Sequence, residues 1–126
     1  MLGWSAILVA TALTSPAQAE AAPRRLTATE IRAVLPGSYV QEVVPAHLQD
    51  LSTPEQFNSD GTYVRQADNR DIEGRYAIEQ DMVCVDPVIH KKTCRFMLVD
   101  RYGQHFFQSA TLPTARLVPV KLIPQR

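Results

Sequence analysis

From Ser38 to Ile123 the chain alternates between apolar and polar residues, and that rhythm limits what it can become. In Ile72–Glu79, the residues Ile72, Gly74, Tyr76 and Ile78 share one parity, while Glu73, Arg75, Ala77 and Glu79 share the other. A period of two belongs to a half-buried β-strand, because successive side chains point to opposite faces. Similar runs recur with turn residues between them. The expected strands are Tyr39–Val44, Glu55–Asn58, Thr62–Gln66, Ile72–Glu79, Met82–Asp86, Cys94–Asp100, Gln104–Ala110 and Ala115–Ile123. Asp60-Gly61 marks a tight turn. Gly74 inside its strand implies a bend, a bulge or close backbone approach, and Pro119 implies that the last strand is an edge or is bulged there.

One helix is expected ahead of the strands, over Leu26 to Leu35. Thr27-Ala28-Thr29-Glu30 fits a capping box, in which the Thr27 hydroxyl and the Glu30 carboxylate satisfy backbone N–H groups the helix leaves open. Leu26 can staple against Ile31, while Ile31, Val34 and Leu35 form an apolar stripe and Pro36-Gly37 ends it. A helix this short must dock on something to persist. The fold class is therefore mainly β: an N-terminal helix followed by a curled antiparallel β-meander, a small barrel or half-barrel with the helix plugging one end. A flat sheet crossed by the helix is the alternative.

Met1 to Ala19 reads as an export signal, with an apolar run from Ile7 to Leu13 and a small-x-small site at Ala17-Gln18-Ala19. The apolar run is shorter than the ~18–20 residues that span a bilayer, so no membrane span is expected once the signal is removed. Removing 19 residues from 126 leaves 107, with 20–25 as a flexible lead-in and 26–126 as a single β-rich domain. Export to the periplasm or beyond places Cys84 and Cys94 where thiols oxidise, and the expectation is a disulfide between them. Charges balance at 13 basic against 13 acidic, which gives no electrostatic reason to bind nucleic acid.

Several stretches together resemble small exported lipocalin-like proteins of Gram-negative bacteria, most of them uncharacterised. These are Leu26-Thr27-x-x-Glu30-Ile31, Leu35-Pro36-Gly37-Ser38-Tyr39, Phe57-x-x-Asp60-Gly61-Thr62, Gly74-Arg75-Tyr76 with Asp81-Met82-Val83-Cys84, and Cys94 opening the next strand. Where such proteins commonly carry Trp two residues after each Gly, this chain has Tyr39 and Tyr76. The resemblance implies a fold and a compartment and carries no catalytic residues.

The residues themselves supply little chemistry. Nine residues separate the cysteines, unlike the two of a thioredoxin-type redox pair, and His90 alone between them is too few ligands for zinc. His47 and His105 are isolated. Ser38 and Ser109 lack a nucleophile elbow. Asp68, Asp71 and Glu73 interleave with Arg65, Arg70 and Arg75, as ordinary cross-strand pairs on a wet face do. Of Phe106 and Phe107, one ring should be exposed or cover something, either a partner surface or, the preferred reading, the underside of the docked helix. No cofactor or metal is expected. The preferred function is a non-enzymatic binding or interaction module. A small apolar or amphipathic ligand would sit in an interior lined by Ile72, Tyr76, Ile78, Phe96 and Leu98, or a protein partner would add to an edge near Val118–Leu122. A small exported hydrolase without a recognisable motif is the alternative.

Overall fold

The computed structural model describes Gly3 and residues 22–51, 53–67, 69–112 and 115–126. The expected export signal, apart from Gly3, lies outside the described residues. Along the chain run β1 (Arg24–Arg25), α1 (Ala28–Val34), β2 (Ser38–Glu42), a 3-10 segment (Ala46–Leu51) and β3 (Glu55–Phe57). They are followed by β4 (Thr62–Ala67), β5 (Arg70–Glu79), β6 (Met82–Pro87), β7 (Thr93–Val99), β8 (His105–Ser109) and β9 (Val118–Pro124). Every adjacent pair is antiparallel. β8 bonds to β7 on one side and β9 on the other, while β9 also bonds to β2, so β2 to β9 close into an eight-stranded barrel. No helix among the described residues is long and apolar enough to cross a membrane.

Local chemistry accounts for the tight connections. The β5–β6 hairpin turns on Gln80 and Asp81, both at positive φ (50° and 61°), which matches the right-handed twist of the flanking strands. The Asp81 carboxylate also accepts the Ala28 N–H at 2.6 Å, tying the helix start to this turn. Between β3 and β4, Gly61 sits at φ +89° and Asp60 Oδ1 accepts from both the Thr62 N–H and its hydroxyl. Gly74 is where β5 comes closest to β6: a Cβ there would lie 2.5 Å from the Asp86 carbonyl oxygen.

The helix closes one end of the barrel. Its capping box forms, with Thr27 Oγ1 accepting the Glu30 N–H and Glu30 accepting the Thr27 N–H, and Arg24 forks onto the same carboxylate at 3.0 and 2.8 Å. Leu26, Ile31 and Leu35 enter the core, whereas Val34, expected on the same stripe, faces out at 39% exposure. Beneath them Phe57 is fully buried, with Tyr63 and Tyr76 edge-on to its ring at 5.2 and 5.1 Å. Within the stretch expected as a lead-in, Arg24–Arg25 pair with Leu98 and Val99, continuing along the β7 edge past the last β6 partner, Phe96.

Three expectations are corrected by closure of the barrel. β9 is hydrogen-bonded on both sides, so Val118–Leu122 offers no free edge to a protein partner. In an antiparallel strand a residue's N–H and C=O address the same neighbour. The Pro119 carbonyl accepts from the Val43 N–H at 2.9 Å, so its missing donor falls just past Glu42, where β2 stops. On β7 the inward residue is Met97, fully buried in the core, while Phe96 lies outside beneath the Arg25 guanidinium. Parity puts Leu98 outside with Phe96 and Arg95 inside with Met97. Phe107 is the ring of its pair that joins the core, and its outward neighbour Phe106 pairs across to Pro119 on β9 rather than beneath the helix.

Candidate functional site

At the end of the barrel away from the helix the interior changes character. Arg95 on β7 extends across the lumen to Glu55 on β3, donating from both terminal nitrogens to both carboxylate oxygens at 2.9 and 2.6 Å. Three strands separate β7 from β3 in either direction around the barrel, so this pair is a bar joining opposite walls. The Arg95 guanidinium also lies 4.1 Å above the Phe107 ring, where the ring's negative face attracts it. The two side chains retain 23% and 16% exposure, which makes the bar half-buried.

Electrostatics along the bar follow from that burial. Burial works against the Arg95 charge, but the Glu55 carboxylate more than offsets it and holds the guanidinium above its ordinary range. Tyr63, just below, has its phenol pushed up by burial and then by the Glu55 carboxylate, so it stays protonated. Arg65 is the direct cross-strand partner of Glu55 on β4 and brings a second guanidinium to the same level.

Above the bar lie two open compartments that share Glu55, Arg65 and Arg95 as a common wall. The larger, about 540 Å³, is bounded on the β2, β8 and β9 side by Val40, Phe107, Val118 and Val120, with Leu112 at the mouth and Glu42 and Arg116 facing in. The smaller, about 270 Å³, is bounded by Tyr63, Ile72, Val85 and Pro87, with His90 and Lys91 at its mouth. The lumen is thus filled solid at the helix end and vacant at the other.

The residues singled out from sequence are scattered relative to this cup. Cys84 and Cys94 face each other on β6 and β7 and form a disulfide on the outer wall, Cα to Cα 4.0 Å. Glu79 approaches the two sulfurs and pairs with Lys92 at 2.9 Å, while His90 sits at the cup's mouth. His47 is exposed on the 3-10 segment, and His105 is half-buried on β8, its imidazole held below the ordinary value by burial and partly restored by Asp100. Ser38 donates to the Leu35 carbonyl at the closed end, whereas Ser109 lines the larger compartment with its hydroxyl on Thr111. Of the charged run, Asp71 and Glu73 are exposed and share the parity opposite Ile72, Asp68 lies outside the described residues, and Arg65 alone enters the cup. Ile72 faces the smaller compartment, and Tyr76 and Ile78 pack on the core.

Sequence reading missed Glu55 and Arg95. The one available signal was Arg95 itself, a charge inside the apolar run Cys94-Arg95-Phe96-Met97-Leu98-Val99. No family model, no curated protein and no solved structure matches this chain.

Proposed function

We propose that this protein is a non-enzymatic, lipocalin-like binding module, exported to the periplasm or beyond, whose barrel takes a small amphipathic molecule through its helix-free end. The observation that carries the reading is the contrast between the two ends. At the helix end the lumen is packed, and at the other about 540 Å³ stands open over an apolar floor with a charged wall. A concave, mostly apolar site with a few convergent polar groups is the usual form of a small-molecule site. The Cys84–Cys94 disulfide and the residue pattern of Met1–Ala19 support the compartment. The hydrolase alternative gains no support from the cup. Its central carboxylate, Glu55, is held by an arginine, which keeps its proton throughout the working pH range and so cannot complete a proton relay.

Two measurements test this. Protein expressed with its full sequence should be recovered in the periplasmic fraction with the intact mass of a chain starting at Glu20; recovery only in the cytoplasm with Met1–Ala19 retained would count against export. The neutral fluorophore N-phenyl-1-naphthylamine should bind one per chain and should be excluded by Val118→Trp, which fills the larger compartment. Equal binding by the wild type and Val118→Trp would place the fluorophore elsewhere and overturn the cup as the site.

A further inference from the structure

We infer that the ligand of this cup carries a negatively charged head group, which stays toward the open end against Arg65 and Arg116, beside the Arg95–Glu55 bar, while its tail enters first. The inference rests on the binding reading given above and adds the chemistry of the ligand and its direction of entry.

Charge comes first. The larger compartment holds three arginines, Arg65, Arg95 and Arg116, against two glutamates, Glu42 and Glu55. The smaller adds Lys91 and no further carboxylate beyond the shared Glu55. Glu55 and Arg95 satisfy each other through two parallel bonds, so that acid is engaged and would offer little to a cationic ligand. Arg65, by contrast, lines both compartments and is exposed. A cup with low-dielectric walls and a surplus of one sign concentrates the opposite sign. Guanidinium groups suit oxyanions in particular, because their planar donors match carboxylate and phosphate oxygens in pairs.

Direction follows from where the polar and apolar groups lie. The floor is apolar, formed by the core residues Val40, Phe107 and Val120 with Val118 packed against them, whereas Glu42, Arg65 and Arg116 are exposed nearer the mouth. Leu112 is 60% exposed, an apolar side chain left in water at the rim. A tail lying along Val118 onto Val40, Phe107 and Val120 fills that apolar floor while its head stays at Arg65 and Arg116. The reverse pose would bury the charged head among Val40, Phe107 and Val120 and strip its water without replacing it.

The test compares four probes of one chain length, decanoate, decyl phosphate, decanol and decylammonium, by calorimetric titration against the wild-type protein and Arg65→Gln. Decanoate or decyl phosphate should bind at least tenfold tighter than decanol, with decylammonium weakest, and whichever anion binds tighter names the head group. Arg65→Gln should lower anion affinity about tenfold and narrow the anion-to-decanol ratio, with an unchanged far-ultraviolet spectrum reporting an intact barrel; Arg116→Gln serves as the second variant. Raising the salt concentration should shrink the same ratio. If decanol matches the anions in the wild type, or decylammonium exceeds them, the cup remains a binding site and the anionic head is overturned. If none of the four binds, the binding reading itself fails and takes this inference with it.

Discussion

The bar across the lumen can be taken apart one end at a time. Arg95→Met removes the guanidinium and leaves the Glu55 carboxylate beside Tyr63 with only the exposed Arg65 across from it, while Glu55→Leu leaves Arg95 charged over Phe107 without its counter-ion. Removing one partner of a fully buried pair costs about 3–5 kcal/mol, because the remaining charge stays desolvated. Here the side chains keep 23% and 16% exposure, so water recovers part of that loss and each single variant should lose roughly 2–3 kcal/mol, discounted for solvent screening. The double variant Arg95→Met/Glu55→Leu leaves no stranded charge. Apolar replacement of such pairs is often neutral or better, so it should lie within about 1 kcal/mol of wild type. The coupling energy from the cycle is then about 3 kcal/mol or more, read from urea unfolding followed by far-ultraviolet circular dichroism with the disulfide intact. Additive losses, with coupling below about 0.5 kcal/mol, would show that the pair is an ordinary water-screened contact and would refute the bar.

Other perturbations test the scaffold. Gly74→Ala places a Cβ 2.5 Å from the Asp86 carbonyl oxygen and 2.7 Å from the Pro87 Cα, both backbone atoms, and should cost about 2–3 kcal/mol; a melting temperature within a degree of wild type would contradict it. Replacing Cys84 and Cys94 together with Ser should cost about 2–3 kcal/mol under oxidising conditions, and an unchanged melting temperature would dismiss the disulfide as a staple. Glu30 is lowered to about 2 by the Arg24 hydrogen bonds and then by the Thr27 N–H. Because its folded value is depressed, its contribution is present above the ordinary carboxylate range and lost as pH falls through about 2. The stability gap between wild type and Glu30→Gln should therefore close between pH 4.5 and 2; a constant gap would separate the helix cap from that carboxylate. Both partners are solvent-exposed, so the effect is small and vanishes in high salt.

Features written within a few residues were legible, and those set by long-range closure were not. The capping box depends on Thr27 and Glu30, three apart, and the β3–β4 turn on Asp60 and Gly61, so each could be read without knowing the fold. The strands were equally visible because their period is local. What failed was face. The β7 sequence carries apolar residues on both parities, Cys94, Phe96 and Leu98 against Met97 and Val99, with Arg95 on the latter. Hydrophobicity alone favours turning the first set inward. The barrel does the reverse, because Phe96 lies against Arg25 outside and Arg95 finds Glu55 across the lumen, a partner 40 residues away. The misassigned edge has the same origin. Val118–Leu122 looks terminal in a meander, and only its pairing with Ser38–Glu42 removes the edge. Glu55 gave no signal at all, since a charge at a strand start is usually a solvated one.

The bar also separates two ways of losing selectivity, and that separation bears on how the cup reads its ligand. Suppose an anionic head is favoured only because Arg65 and Arg116 attract it. Deleting Arg95 and Glu55 together then leaves the cup's charge difference unaltered, since one positive and one negative group depart. Anion affinity in Arg95→Met/Glu55→Leu should accordingly stay near wild type. Decanol behaves differently. In the wild type its hydroxyl end lies beside a guanidinium–carboxylate wall whose hydration it displaces, a penalty of about 1–3 kcal/mol for an unpaired polar contact. With Met and Leu on that wall the penalty disappears, and decanol should gain about tenfold, equivalent to ~1.4 kcal/mol. The anion-to-decanol ratio then collapses from the decanol side, whereas Arg65→Gln collapses it from the anion side. Titration of both variants with decanoate and decanol distinguishes the routes. If decanol affinity is unmoved in the double variant, the bar does not meet the ligand, and the polar end of the ligand must lie elsewhere in the cup.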